Sequence, residues 1–119
     1  MIVGIGVDMI EIGRVIHACE REHFLKKIFS EREIQQMDVG KRRAASDFAG
    51  KEAVVKALGT GFFGVEAIEI EILRRESGSP YVVLHGGAAR KAEELCIRDW
   101  QISITNTKEL ATAFVIASA

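Results

Sequence analysis

The sequence predicts an α+β domain, with helices mainly in the first half and antiparallel hairpins in the second. Two observations predict it. Apolar residues recur at helical spacing as far as Leu58, whereas from Glu66 onward they alternate with polar residues over short runs. The chain of 119 residues holds one proline and no repeat, linker or low-complexity tract, which suits one compact unit over residues 1–119. A hydrophobic content of 48% supports a packed core, and a net charge of −1 argues against nucleic-acid binding through overall positive charge. No secretory core, membrane-spanning run or lipidation motif is visible, because Asp8 and Glu11 break the apolar start; a cytoplasmic protein away from membranes is expected.

Taken in order, Gly4 to Glu11 begins as a short strand whose glycines permit close approach of another backbone. Asp8 and Glu11 have the spacing of a capping box, which predicts a helix from about Met9 to Glu20. On it Ile12, Val15, Ile16 and Cys19 face one way, and Arg14, His17 and Arg21 cluster on the other. His23 to Phe29 reads as a short helical segment, and Ser30 with Glu33 as a second capping box opening a helix through about Met37. Asp38 to Gly40 reads as a turn, followed by the basic run Lys41-Arg42-Arg43.

The next stretch is the most informative. Ala, Val, Lys, Glu and Leu make a good helix up to Leu58, and Gly59-Thr60-Gly61 stops it, because glycine accepts the backbone angles of a helix exit. Ala45, Phe48, Ala49 and Ala53 form one apolar stripe, and Glu52 and Lys56 lie inside it. A Glu-to-Lys pair four residues apart supports a helix on its own account, and Asp8 would serve as a helix cap. The alternative is chemical: Asp8, delivered by the first strand, and Glu52 converge on one divalent ion.

In the second half, Glu66 to Ile72 alternates, with Ile68, Ile70 and Ile72 on one face and Glu69 and Glu71 on the solvent side. A turn over residues 76–80 leads to a strand over 81–84. Gly86 to Ile97 reads as an amphipathic helix through Ala88, Ala92, Leu95 and Cys96. Residues 100–105 and 111–117 make a last hairpin around Asn106. Cys19 and Cys96, with no metal-like spacing, are read as small buried side chains in a reducing compartment. His17, His23 and His85 are read as surface or polar-core residues.

Gly6-Val7-Asp8, Phe48 followed by Lys51-Glu52-Ala53, Lys56, and Gly59-Thr60-Gly61 occur in the order and separation that resemble the holo-[acyl-carrier-protein] synthase family of phosphopantetheinyl transferases. Weaker correspondences run from Met1 almost to Ala119. The resemblance implies transfer of 4′-phosphopantetheine from coenzyme A to a serine of acyl carrier protein, in fatty acid biosynthesis, by a homotrimer with coenzyme A in clefts between subunits. It implies Asp8 and Glu52 as Mg2+ ligands and Lys56 on the diphosphate, these three being the catalytic residues. Arg42, Arg43, Lys56, Gly59, Thr60, Gly61 and Asn106 are the implied coenzyme contacts, although Gly59 to Gly61 are equally accounted for as a helix terminator and the basic run as solvated surface. Arg14 and Arg21 are the implied docking residues for the acidic carrier protein; a solvated face is the plainer reading.

Three departures bear on the coenzyme side. Where the family has Ser-x-Ser-His, this chain has Ser103-Ile104-Thr105-Asn106, and asparagine cannot carry charge. Asp47 stands where an arginine is common, and the segment from Met37 to Phe48 is short. A non-catalytic coenzyme A or carrier-protein binding module is therefore the second reading, and a metal-dependent phosphate-ester hydrolase the third.

Overall fold

The computed structural model describes residues 1–119 throughout. Its elements run β1 (Ile2–Glu11), α1 (Ile12–Cys19), α2 (Glu22–Ile28), α3 (Glu31–Gln35), α4 (Arg42–Leu58), a 3-10 turn (Ala67–Glu69), β2 (Ile70–Arg74), β3 (Pro80–Leu84), α5 (Gly86–Glu94), β4 (Asp99–Asn106) and β5 (Leu110–Ser118). The α+β class is as expected. Strands β1, β5 and β4 form one antiparallel sheet with β5 in the middle, and β2 and β3 form a separate hairpin.

Helix α4 lies against the three-stranded sheet and organises the core. A Cβ on Gly4 would fall 2.2 Å from the carbonyl oxygen of Ala57, and one on Gly6 only 1.8 Å from that of Ala53. The two glycines therefore let β1 touch the helix backbone, as the sequence suggested. Ala49, Ala53, Val54 and Ala57 then pack with Ile70, Ile72, Ala113 and Val115, while Ile12, Val15, Cys19, Phe29 and Ala45 make a second cluster under α1 and α2. Twelve of the 17 residues of α4 are buried, so its charges must find partners inside the protein. The helix ends as expected at Gly59, whose φ of 77° lets its N–H reach the carbonyls of Val55 and Lys56.

Four expectations are corrected. The Asp8–Glu11 pattern is not a capping box: β1 continues to Glu11, pairing Asp8 with Ala113 and Glu11 with Leu110, and α1 starts only at Ile12 without a side-chain cap. A strand partner a hundred residues away outweighs the local signal. Residues 67–69 form a 3-10 turn rather than strand, and Glu71 is buried because α3 and His85 cover that face. Helix α5 stops at Glu94, and Cys96 is exposed in the left-handed region (φ 61°) instead of packed on a helical stripe. Lys56 pairs across elements with Asp8 rather than along the helix with Glu52. The Ser30–Glu33 capping box is present in both directions. No helix is long and apolar enough to cross a membrane.

Candidate active site

Alternation along β1 turns Gly4, Gly6 and Asp8 toward α4, and the glycine contacts bring the Asp8 carboxylate against the helix. Lys56 donates from Nζ to Asp8 Oδ1 at 3.2 Å and to the carbonyl of Val7 at 2.9 Å. Asp8 Oδ2 is buried and has no hydrogen-bond partner. Glu52, one turn before Lys56, is half-buried; burial raises its carboxyl above the usual range, the nearby Asp8 charge raises it further, and Lys56 opposes both. A buried carboxylate oxygen without a partner, beside a carboxyl that burial and a neighbouring carboxylate raise, fits a cation. No group of three or more His, Cys, Asp or Glu side chains is placed to hold a metal by itself, so a cation here would need substrate phosphate beside Asp8 and Glu52. Glu52 also lines a hollow of about 380 Å³ with Phe48, Phe62 and Val65.

A second cleft, of about 330 Å³, opens at the start of α4 and gathers Arg42, Arg43, Ser46, Arg74, Pro80 and Asn106. Asp38, read from sequence only as a turn residue, builds it: its carboxylate accepts from the backbone N–H groups of Arg42 (3.1 Å) and Arg43 (2.8 Å). Burial works against that carboxylate, but these N–H bonds prevail and lower its pKa. Arg42 is aimed by hydrogen bonds to the carbonyls of Thr107 and Lys108, Arg43 by one to that of Gln36, and Asn106 donates to Ser46 Oγ at 2.8 Å.

The expected coenzyme contacts are thus divided. Arg42, Arg43 and Asn106 meet in the cleft, whereas Gly59, Thr60 and Gly61 lie beyond the far end of α4, about 25 Å away at 1.5 Å per residue. Gly59 and Gly61 both have positive φ, and the Thr60 hydroxyl is taken up by the carbonyl of Gly61. Arg14 is exposed at the rim of an apolar hollow of about 570 Å³ formed with Met9, Val15, Phe24, Phe48 and Leu110; Arg21 is exposed at the start of α2 but is not part of it.

Sequence reading missed the buried charges around the site. Lys51 and Glu33 are both fully buried and paired at 2.8 Å. Glu71 accepts from Ser30 Oγ, the Arg32 guanidinium and His85 Nε2; burial would raise its carboxyl, but these bonds outweigh burial and hold it down to about 2. Arg74 lies beside Asp47 in the second cleft. No local sequence pattern marked them as buried, because their partners lie on other elements.

A family model described as the 4′-phosphopantetheinyl transferase superfamily matches residues 4–114. The chain is 54% identical to the holo-[acyl-carrier-protein] synthase of Lachnoclostridium phytofermentans, over 98% of its own length and 95% of that protein. Its fold superposes on the holo-[acyl-carrier-protein] synthase of Neisseria meningitidis with a TM-score of 0.90 at 30% identity, covering 100% of both chains. The corresponding enzyme of Helicobacter pylori, in complex with coenzyme A, gives a TM-score of 0.80 at 28% identity, covering 96% of this chain and 99% of the other.

Proposed function

The chain belongs to the 4′-phosphopantetheinyl transferase superfamily, and from that premise we propose that it transfers the 4′-phosphopantetheine arm of coenzyme A to a serine of apo acyl carrier protein, as a cytoplasmic step of fatty acid biosynthesis. The observation that carries the site assignment is the orphaned, buried Oδ2 of Asp8 beside the raised carboxyl of Glu52.

The serine oxygen forms a bond to the β-phosphorus of coenzyme A, the bond from that phosphorus to the bridging oxygen breaks, and adenosine 3′,5′-bisphosphate leaves with the electron pair. The difficulty is negative charge on negative charge, so alignment and neutralisation dominate. Asp8 and Glu52 would hold Mg2+, which when bound supplies a hard positive charge to the diphosphate. Lys56, fixed by Asp8 and the carbonyl of Val7, adds a second positive charge at the same place. The serine proton goes to solvent or to Glu52, the carboxylate of the site that lies on α4. Arg14, with the apolar hollow beside it, offers an acidic amphipathic helix both charge and a greasy seat, and Arg21 extends the basic side.

The protein works as a homotrimer. Alternation on β1 points Ile5 (58% exposed), Val7 and Met9 (61%) outward, next to Phe114 of β5, and an apolar sheet face of this kind favours burial against another copy. Assembly also accounts for the divided coenzyme contacts: the arginine cleft of one subunit serves the carboxylates of its neighbour, while the turn after α4 lies by its own subunit's site.

The test is the intact mass of a serine-bearing apo carrier protein after incubation with the protein, coenzyme A and Mg2+. A gain of one phosphopantetheine is expected. Coenzyme A binding without transfer to either of two carrier proteins would favour the binding module, and coenzyme A cleavage without a carrier would favour the hydrolase.

A further inference from the structure

Arg74 is the last residue of β2, and its backbone is fixed on both sides by one side chain: its N–H donates to Gln36 Oε1 at 2.8 Å and its carbonyl accepts from Gln36 Nε2 at 3.2 Å. Its side chain is only 9% exposed, and Nη1 lies 2.8 Å from Oδ1 of Asp47, which is 1% exposed on α4. The contact is short but poorly aligned. A guanidinium kept for architecture alone would be expected to grip its carboxylate through two parallel N–H bonds. This one instead lines the cleft that holds Arg42 and Arg43, with one poorly aligned contact to Asp47. Three guanidinium groups in one small cleft repel one another, and the other carboxylate there, Asp38, is already occupied by backbone N–H groups. A bound anion would offset that repulsion.

We propose that Arg74, set in place by Asp47, is a phosphate-binding residue of this cleft, and that the group it takes is the 3′-phosphate of the coenzyme A adenosine. The inference rests on the transferase reading. If the reacting diphosphate goes to Asp8, Glu52 and Lys56, the phosphate remaining in coenzyme A is the 3′-monoester, a compact dianion whose several oxygens suit more than one guanidinium. Asp47, which on sequence alone removes a cation from this side, restores one by drawing the arginine of the facing strand into the cleft. Asp47 is a positioning residue here, and Arg74 the contact.

Calorimetric titration with adenosine 3′,5′-bisphosphate and with adenosine 5′-monophosphate separates this from a structural role. Arg74→Ala should weaken the bisphosphate about tenfold and leave the monophosphate within about twofold, since one charge-assisted contact to the 3′-phosphate is lost. Asp47→Asn should reduce the preference for the bisphosphate by a smaller factor. Because Arg74→Ala leaves Asp47 buried alone, Asp47→Asn/Arg74→Met, which removes both charges, provides a second variant expected to show the same lost preference. Unchanged bisphosphate affinity in either Arg74 variant, or equal weakening of both nucleotides, would overturn the assignment. A wild-type protein that binds neither nucleotide would instead overturn the transferase reading beneath it.

Discussion

Lys51→Met should cost the protein a large part of its stability, although Lys51 touches no proposed substrate group. The ammonium donates to Glu33 Oε1 (2.8 Å), to the carbonyl of Ala67 (2.9 Å) and to the carbonyl of Ile70 (2.5 Å), so each of its hydrogens has an acceptor. Glu33 in turn accepts from the backbone N–H groups of Ser30 and Ile72. One buried pair therefore ties α4 to α3, to the 3-10 turn and to β2. Burial lowers the Lys51 pKa and the Glu33 carboxylate opposes that shift, as expected for a charge that depends on its partner. Both side chains are 0% exposed, and removing one partner of such a pair leaves the other charged and desolvated, at a cost of about 3–5 kcal/mol. With an unfolding entropy of about 2.1 cal/mol/K per residue, the chain has about 0.25 kcal/mol/K in total, so the melting temperature should fall by about 12–20 °C. Glu33→Gln should also destabilise, because both Glu33 oxygens accept, from Ser30 N–H and Lys51 Nζ on one side and Ile72 N–H on the other, so the new amide NH2 would face a donor and Lys51 would lose its counter-ion. Thermal unfolding followed by circular dichroism, with urea titration as a check, reads the effect. A Lys51→Met protein melting within about 4 °C of wild type would refute the reasoning, since that is the size of a surface change.

Gly6→Ala forces a methyl group against the Ala53 carbonyl, 1.8 Å away, so β1 must leave α4; a loss of about 3 kcal/mol by urea titration is expected, with transfer falling further because Asp8 is displaced too. Stability should also depend on pH in two windows. Burial pushes the Asp47 carboxyl up to about 7, against the pull of Arg74, so the native state binds the extra proton between about pH 4 and 7 and stability falls as pH rises there, by at most about 1.4 kcal/mol per unit. Glu71, held down to about 2, contributes stability above its unfolded pKa that is lost as pH falls through about 4.5 to 2. Urea midpoints should accordingly peak near pH 4–5, and the fall toward pH 7 should vanish in Asp47→Asn; a slope that survives the substitution contradicts its assignment. Phe114→Glu places a charge on the apolar sheet face and should convert a trimer to monomer in sedimentation equilibrium, whereas a wild-type monomer would remove the shared-cleft arrangement.

What could be read from the sequence was whatever local chemistry decides. The exit of α4 at Gly59, the capping box at Ser30 and the hairpin around Asn106 depend on residues a few positions apart, and each appears where expected. Asp8, Glu52 and Lys56 were singled out from a strand with glycines, a helix with charges in its apolar stripe and the resemblance to a family motif, and the structure brings Lys56 to Asp8. The failures are long-range. Whether Asp8 caps a helix or pairs in a sheet is settled by β5, and whether Glu71 faces water is settled by Arg32 and His85. A charged residue is by default a surface residue, so Glu33, Lys51 and Arg74 carried no local mark of burial; their partners lie 18 to 39 positions away or on another element. Cys96 was misplaced because the helical stripe was extended past Glu94, through a residue that takes the left-handed conformation usually left to glycine.

The most direct test is the initial rate of phosphopantetheine transfer to apo acyl carrier protein by wild type and Glu52→Gln, each across a Mg2+ titration that begins in EDTA. A wild-type rate that is absent in EDTA and rises with Mg2+, together with a Glu52→Gln rate at least about a thousandfold lower and not restored by more Mg2+, is the predicted result. Normal Mg2+-dependent turnover by Glu52→Gln would contradict the two-carboxylate site on which the mechanism rests.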